Sequence, residues 1–146
     1  MVAPDVEPAE AQVTAGYDLL DAPPGFVRHC GAFYLHERLP VLATRVTAAH
    51  LNSLRMAHGG FLATLADSAF GVVLKRDLGL PVSPVTVNLG IDYLGPVREG
   101  DWAEAHVEVH KAGSRLINAV CLLKVGDRLA LCSHGVFMQP TAPDRG

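Results

Sequence analysis

The hydrophobic residues of the chain form one long block near its middle and several shorter blocks on either side. Across residues 61–74 nearly every side chain suits a buried environment, and the apolar positions cover most of the circumference of a helix instead of one narrow stripe. This block predicts a central helix that other elements cover on all sides.

The shorter blocks are rich in β-branched and aromatic residues, which is typical of strands. Two of them precede the helix, at residues 26–35 and 41–49, and Pro40 separates them. Residues 79–84 then break the pattern. Four more predicted strands follow, at residues 85–94, 102–110, 116–125 and 129–137. One apolar helix with a meander of strands predicts an α+β fold in which an antiparallel β-sheet wraps around the helix.

Length and composition fit a single compact domain. The chain has 146 residues, and its 49% hydrophobic content can fill a core without disulfide bonds. Residues 25–140 are predicted to form this domain, and residues 141–146 a C-terminal tail. Residues 1–24 are rich in Ala, Pro and acidic side chains without a clear period, which predicts a peripheral extension. This extension is expected to be partly disordered or to form one helical turn at residues 16–20.

The composition disfavours several classes of function. No apolar run reaches the roughly 20 residues of a membrane span, and the acidic start is unlike a signal peptide, so we expect a cytoplasmic protein. The net charge of −3 and the scattered basic residues give no basic stripe for nucleic acid. Cys30, Cys121 and Cys132 have no metal-ligand spacing, which predicts reduced, buried thiols. No metal or other cofactor is expected.

Asp67 is the acidic residue inside the predicted central helix. On a helix it lies beside Ala63, Thr64, Phe70 and Gly71, so only Thr64 offers it a polar group there. Burial of an ionised carboxylate without partners is costly. Either a proton neutralises it, or a polar cleft reaches it, or another chain supplies hydrogen-bond donors. The alternative is that Asp67 faces water at an edge of the helix.

His58-Gly59-Gly60 precedes the central helix, and two adjacent glycines let the chain turn sharply into it. A ligand oxygen can approach the free backbone N–H groups of a helix N-terminus, where the helix dipole favours negative charge. This is the outline of an oxyanion hole. The alternative is an ordinary turn in which His58 caps the helix.

The spacing of these residues is specific. Six residues separate Asn52 from His58 in numbering, and nine separate His58 from Asp67. In this pattern the chain resembles the hotdog-fold acyl-CoA thioesterases, especially the PaaI-like, phenylacetate-degradation branch that includes acyl-CoA thioesterase 13-like proteins. The resemblance covers about residues 31–137, including Tyr93-Leu94-Gly95-Pro96. In one departure, Arg55 stands where many relatives carry Gly.

The resemblance implies a hotdog fold whose subunits pair edge to edge as homodimers. These dimers often pair again into a homotetramer, and each active site lies at the dimer interface. It also implies hydrolysis of an acyl-CoA thioester, in which the Gly59 N–H polarises the carbonyl. Asp67 then acts as a general base on water or as a nucleophile. Asn52 orients the thioester or water, and His58 positions the loop or assists the leaving thiolate. Thr86 holds the attacking water, or is a plain strand residue.

The resemblance also implies substrate contacts at further residues. Gly60 is expected to lie against the thioester. Basic side chains suit the phosphates of the CoA nucleotide, and three are candidates: Arg98, Lys111 and Arg115. Apolar residues of the helix and strands are expected to line the acyl pocket, for example Leu62, Phe70 and Leu89. Solvated surface charge and core packing explain these two sets equally well.

Two other functions compete with hydrolysis. A hotdog hydratase or dehydratase shares the fold but uses a differently placed acid and His, and this helix has no matching spacing. A non-catalytic acyl-CoA-binding protein of this fold usually appends a DNA-binding helix pair, and the first 25 residues are too short and too acidic for one. The sequence leaves open whether the acyl group is aromatic or a fatty chain.

Overall fold

The structure is a computed structural model, and it describes residues 14–140. Its helices and strands, in chain order, are β1 (Tyr17–Leu19), α1 (Phe26–His29), β2 (Phe33–His36), β3 (Val41–Arg45), α2 (Gly59–Asp77), β4 (Val85–Tyr93), β5 (Trp102–Ala112), β6 (Leu116–Val125) and β7 (Arg128–Met138). A 3-10 turn spans Ala48–His50. Residues 1–13 of the predicted extension and the predicted tail at residues 141–146 lie outside the described residues.

Within residues 14–140, seven strands form one antiparallel sheet in the order β1-β2-β3-β5-β6-β7-β4. Helix α2 packs across one face of this sheet, against β3, β4, β5 and β6. Among the described residues, strand β4 lies at one edge and pairs only with β7. The predicted α+β fold, with its central helix and antiparallel sheet, is confirmed.

The core lies between α2 and the sheet. Leu65, Ala66, Ala69 and Phe70 of α2 are fully buried there. The ring of Phe70 packs against that of Phe137 on β7, with 4.7 Å between the ring centroids. Burial of each large apolar side chain contributes about 1.5–3 kcal/mol. No helix within the described residues is long and apolar enough to cross a membrane.

Two expectations for the segment before the central helix are wrong. Residues 26–35 form α1 and then β2 instead of one strand, because Gly25, at φ 153° and ψ −164°, redirects the chain. That backbone conformation is essentially restricted to glycine. Residues 16–20 form no helical turn; they contribute β1, in which Tyr17 pairs with His36 of β2. This partner is distant in sequence, so the local pattern does not reveal it.

Candidate active site

The N-terminus of α2 presents a backbone donor, the Gly59 N–H, toward a cleft. His58 is the N-cap residue, and its Nδ1 accepts a hydrogen bond from the Gly60 N–H at 2.8 Å. The His58 N–H donates to the His50 carbonyl at 2.8 Å. The Gly59 N–H makes no hydrogen bond to another described residue. Because the helix dipole favours negative charge at this end, the Gly59 N–H is a donor suited to an oxyanion.

Asn52 shapes the loop that leads into this donor. Its Oδ1 accepts hydrogen bonds from the backbone N–H groups of Leu54, at 2.9 Å, and Met56, at 3.2 Å. The Asn52 N–H donates to the Met56 carbonyl at 2.7 Å, and the next residue, Ala57, donates to the Val97 carbonyl at 2.7 Å. The loop is therefore closed on itself and tied to the segment after β4.

Gly59 also faces a cleft of about 460 Å³. The cleft is lined by Asn52, Met56, Ala57, Gly59, Leu62, Tyr93, Leu94, Gly95, Pro96 and Val97. The Tyr93 hydroxyl donates to the Gly59 carbonyl at 2.6 Å. A Cβ atom on residue 59 would lie 3.2 Å from Cζ of Tyr93. This close approach of the ring explains why glycine suits the first position of the helix.

Asp67 lies in a second cleft, of about 320 Å³. This cleft is lined by Phe26, Val27, Ala63, Thr64, Asp67, Ser68, Thr86 and Leu89. The carboxylate is half-buried, and the Thr86 hydroxyl donates to its Oδ1 at 2.7 Å. Among the described residues, a cleft with a mostly apolar lining reaches Asp67, and Thr86 is the polar partner of the carboxylate. The hydrogen bond fixes a carboxylate that is open to a small molecule.

The two clefts are separated within one chain. Gly59 and Asp67 are eight residues apart on α2, which is about 12 Å along the helix axis and about 80° around it. A group that transfers a proton and a donor that stabilises an oxyanion must each lie about 3 Å from the reacting atoms. The Gly59 N–H and the Asp67 carboxylate of one chain therefore cannot act on the same carbonyl group.

Comparison with known proteins assigns the chain to a family. The sequence model of the Thioesterase superfamily matches residues 54–132. A Pseudomonas aeruginosa protein with a provisional esterase name is 40% identical over 104 residues, which are 71% of this chain and 78% of that protein. This chain belongs to the thioesterase superfamily. A Caenorhabditis elegans protein, also provisionally named an esterase, is 37% identical over 100 residues, 64% of this chain and only 57% of its own length.

Solved structures share the fold of this superfamily member. The TT0310 protein of Thermus thermophilus matches with a TM-score of 0.64 and 26% identity, over 86% of this chain and 92% of that one. The Escherichia coli PaaI protein, from the phenylacetic acid degradation operon, has a TM-score of 0.65 at 22% identity, over 87% and 81%. A Bacillus halodurans protein crystallised with CoA has a TM-score of 0.61 at 27% identity, over 67% and 65%. The predicted PaaI-like hotdog fold and the enzyme class, thioester hydrolase, are confirmed.

The basic residues predicted to contact CoA lie in different places on this thioesterase-superfamily member. Arg98 is exposed, and its backbone forms an isolated antiparallel β-bridge with Met56 beside the Gly59 cleft. Lys111 and Arg115 are exposed around the β5–β6 turn. That turn lies at the Val85 end of β4 rather than at the Tyr93 end, because Leu116 and Val85 both pair with Met138. One chain therefore does not bring the three cations together.

The apolar residues predicted for the acyl pocket are also divided. Leu62 lines the Gly59 cleft, and Leu89 lines the Asp67 cleft. Phe70 lies in the core and lines neither cleft. Sequence reasoning did not identify Phe26 as a site residue, because it predicted a strand where α1 forms. Helix α1 brings the Phe26 side chain, which is 70% exposed, to the Asp67 cleft. Sequence reasoning also missed the hydrogen bond from Tyr93 to Gly59, although Tyr93 lies in a segment on which the family resemblance rests.

The buried His50 contacts elements that lie beside each of the two clefts. His50 Nε2 lies 2.6 Å from the Cys30 carbonyl at the end of α1, and Nδ1 accepts from the Thr47 N–H at 3.0 Å. The ring stacks on Phe61 of α2 with 3.7 Å between centroids. Burial lowers the pKa of His50, so the neutral ring is favoured. Because the His50 carbonyl also accepts from His58, one residue braces α1 and the Gly59 loop.

The cysteines and acidic residues do not form another reactive centre among the described residues. Burial raises the pKa of Cys121 to about 12, which keeps this thiol protonated at neutral pH. All three cysteines are free; Cys121 is buried, whereas Cys30 and Cys132 are only half-buried. Within residues 14–140, no group of three His, Cys, Asp or Glu side chains is arranged to hold a metal ion.

Proposed function

We propose that the chain hydrolyses an acyl-CoA thioester to a free acid and CoA, with the Gly59 N–H and the Asp67 carboxylate as its reactive groups. One observation carries the proposal: the same helix, α2, presents the free Gly59 amide at its start and, further along, the Asp67 carboxylate that Thr86 holds. Superfamily membership supplies the reaction class.

The proposed site is formed by two chains. Within residues 14–140, one edge of strand β4 pairs with no other strand, and Val85 and Val87 are 51% and 57% exposed there. If two copies pair antiparallel along this edge, the Thr86 end of one β4 lies beside the Tyr93 end of the other. Such a twofold pairing brings the Asp67 cleft of one subunit to the Gly59 cleft of its partner. The separation of about 12 Å within a single chain is then no obstacle.

The proposed chemistry begins with the thioester carbonyl oxygen accepting the Gly59 N–H. One such donor typically stabilises the transition state by about 3–4 kcal/mol. Asp67 of the other subunit takes a proton from water as the water oxygen bonds to the carbonyl carbon. The C–S bond then breaks, and the CoA thiolate receives from Asp67 the proton that the water gave up. In the alternative route Asp67 attacks the carbonyl carbon and expels the CoA thiolate as the C–S bond breaks, and water then hydrolyses the mixed anhydride to the free acid and the Asp67 carboxylate.

The remaining predicted contacts fit the same assembly. Arg98 stands beside the Gly59 cleft, whereas Lys111 and Arg115 stand near the Thr86 end of β4, so the pairing along β4 places cations from both chains near one site. The CoA bound to the Bacillus halodurans protein supports CoA as the ligand class. Phe26, Val27 and Leu89 provide the apolar wall for the acyl group. A further pairing of dimers into a tetramer and a cytoplasmic location belong to this proposal.

The test is release of free CoA thiol from aryl-acetyl, hydroxybenzoyl and short- to long-chain acyl-CoAs. We expect Asp67→Asn to abolish release while the fold is retained. Asp77→Asn is the matched control, because Asp77 lies on the same helix, outside both clefts, and pairs with Arg76. Release that survives Asp67→Asn would contradict the role of Asp67. Saturable binding without release by the wild type would contradict hydrolysis and favour the non-catalytic acyl-CoA-binding function.

A further inference from the structure

The first peptide unit of α2 is held from the sheet as well as from its own loop. Tyr93 reaches from the end of β4 and donates to the Gly59 carbonyl at 2.6 Å. Its ring lies directly against Gly59, where a Cβ atom would meet Cζ at 3.2 Å and the hydroxyl oxygen at 3.3 Å. Tyr93 therefore restrains Gly59 through a hydrogen bond and through packing.

The restraint acts where a helix is least ordered by its own hydrogen bonds. The N–H groups of the first turn have no partners within the helix, and helix ends fray. On one side of Gly59, the His58 N–H is tied to the His50 carbonyl at 2.8 Å. On the other side, Tyr93 holds the Gly59 carbonyl. The Gly59 N–H lies between these two fixed points.

Strand β4 supports both reactive groups. Thr86 pairs with Phe137, and Tyr93 pairs with Leu131, and both partners are buried residues of the sheet face that α2 covers. Thr86 holds the Asp67 carboxylate, whereas Tyr93 holds the Gly59 peptide. The two ends of one strand thus carry equivalent tasks. Of the two residues, only Thr86 was predicted as a site residue, and its predicted contact was the attacking water, not Asp67.

We propose that Tyr93 is a positioning residue that aims the Gly59 N–H at the thioester carbonyl. The inference rests on the proposed function. Tyr93 fixes the Gly59 carbonyl, which one Cα atom joins to the Gly59 N–H, so its hydroxyl restrains the direction of that N–H and acts on the transition state more than on substrate binding. A donor that is already fixed needs no reorganisation when charge develops.

The first measurement compares Tyr93→Phe with the wild type. This variant keeps the ring and removes only the hydrogen bond. We expect kcat to fall about fivefold to tenfold, as for the loss of one ordinary hydrogen bond, with KM within twofold. Tyr17→Phe is the matched control, because it also removes a tyrosine hydrogen bond, to Glu104, outside both clefts. We expect the control to leave kcat unchanged.

The second measurement is independent of turnover. The acyl-CoA of the tested panel that binds most tightly, labelled with ¹³C at its carbonyl, is bound to Asp67→Asn, and the infrared band of the carbonyl is recorded. We expect the band to shift to lower frequency on binding, and the shift to be smaller in Asp67→Asn combined with Tyr93→Phe. A change of folding alone does not predict this selective loss of carbonyl polarisation.

The outcomes separate the inference from the proposed function. An unchanged kcat, a rise in KM alone, or an unchanged band shift in the Tyr93→Phe background would overturn the role of Tyr93. Absence of Asp67-dependent hydrolysis in the wild type would overturn the proposed function, while the infrared comparison still decides whether Tyr93 positions the amide. Failure of Asp67→Asn to bind the labelled thioester, or binding without a band shift, would overturn both.

Discussion

The two clefts beside α2 differ in how they are built. The Gly59 cleft presents a backbone N–H, and most of the bonds that shape it join residues 50–60, close together in sequence. The Asp67 cleft presents a side chain, and its other walls come from α1 and from β4, which are distant from Asp67 in sequence. A local motif can thus shape most of the surroundings of a donor, to which the distant Tyr93 adds one hydrogen bond, whereas a usable carboxylate depends on contacts from distant elements. This difference also suggests that the two groups can be tested separately.

After the loss of release expected for Asp67→Asn, the largest effect is expected from removal of the Gly59 donor. Gly59→Pro deletes the N–H, and proline is tolerated at the first position of a helix. The preceding His58, at φ −61° and ψ 135°, already has a backbone conformation compatible with a following proline. We expect kcat to fall about 10²- to 10³-fold, as for loss of an oxyanion donor. Thiol release at saturating acyl-CoA measures it, and circular dichroism checks the fold.

Gly59→Ala is the matched control for that substitution. It places a similar Cβ against the Tyr93 ring but keeps the N–H. We expect a much smaller loss of kcat than with Gly59→Pro. Equal losses in the two variants would mean that the contact with Tyr93, and not the N–H, limits the reaction.

Mixed assemblies test whether the two clefts combine across chains. Asp67→Asn and Gly59→Pro chains carry different affinity tags, and dimers that contain one of each are purified. Each such dimer holds one site with both groups intact if the site is shared, so we expect roughly half of the wild-type turnover. If both groups acted within one chain, every site in the mixture would be defective. Dimers of two Asp67→Asn chains with different tags provide the background rate.

A smaller effect is expected from a change of pH, through His50, which contacts both the end of α1 and the Gly59 loop. Burial lowers the pKa of His50 in the folded chain. Above the unfolded value of about 6.5 the ring is neutral in both states, and its stabilising contribution is fully present. As pH falls below this value, the unfolded chain takes up a proton that the folded ring resists, so stability is lost until the folded pKa is reached.

The measurement is Tm at several pH values between 7.5 and 5.5. We expect Tm of the wild type to decrease over this range, because the unfolded chain binds a proton that the buried ring of the folded chain does not bind. His50→Phe keeps a ring that can stack on Phe61 but loses the contacts of the imidazole nitrogens, so its Tm is lower at pH 7.5. Because phenylalanine does not titrate, its Tm decreases less over this range. An identical decrease in both proteins would assign the pH dependence to other groups.

The two clefts also show what could be predicted from the sequence. The apolar block of α2, the strands after it and the spacing of Asn52, Gly59 and Asp67 are encoded in short stretches of sequence. The position of Phe26 is not, because it depends on a turn at Gly25 and on the His50 contact with the Cys30 carbonyl. Local periodicity describes which residues are buried, but it does not specify the distant element that covers them.

Arg55 provides the last and smallest test, at the rim of the Gly59 cleft. It has φ +58°, a left-handed conformation in a position where the family resemblance predicts Gly. An L residue there typically costs about 1–2 kcal/mol relative to its preferred conformations. Its guanidinium lies 3.7 Å from a Glu99 carboxylate oxygen, but both side chains are exposed, and such pairs stabilise by only about 0–1 kcal/mol.

The relief of strain at Arg55 therefore outweighs the loss of the ion pair. We expect Arg55→Gly to change the free energy of unfolding by less than about 1 kcal/mol in the stabilising direction, since glycine also gains entropy in the unfolded chain. Arg55→Ala loses the same ion pair and keeps the strain, so it is expected to destabilise. Urea unfolding of the three proteins measures both changes. A Gly variant less stable than the Ala variant would mean that the Arg55 conformation is not strained.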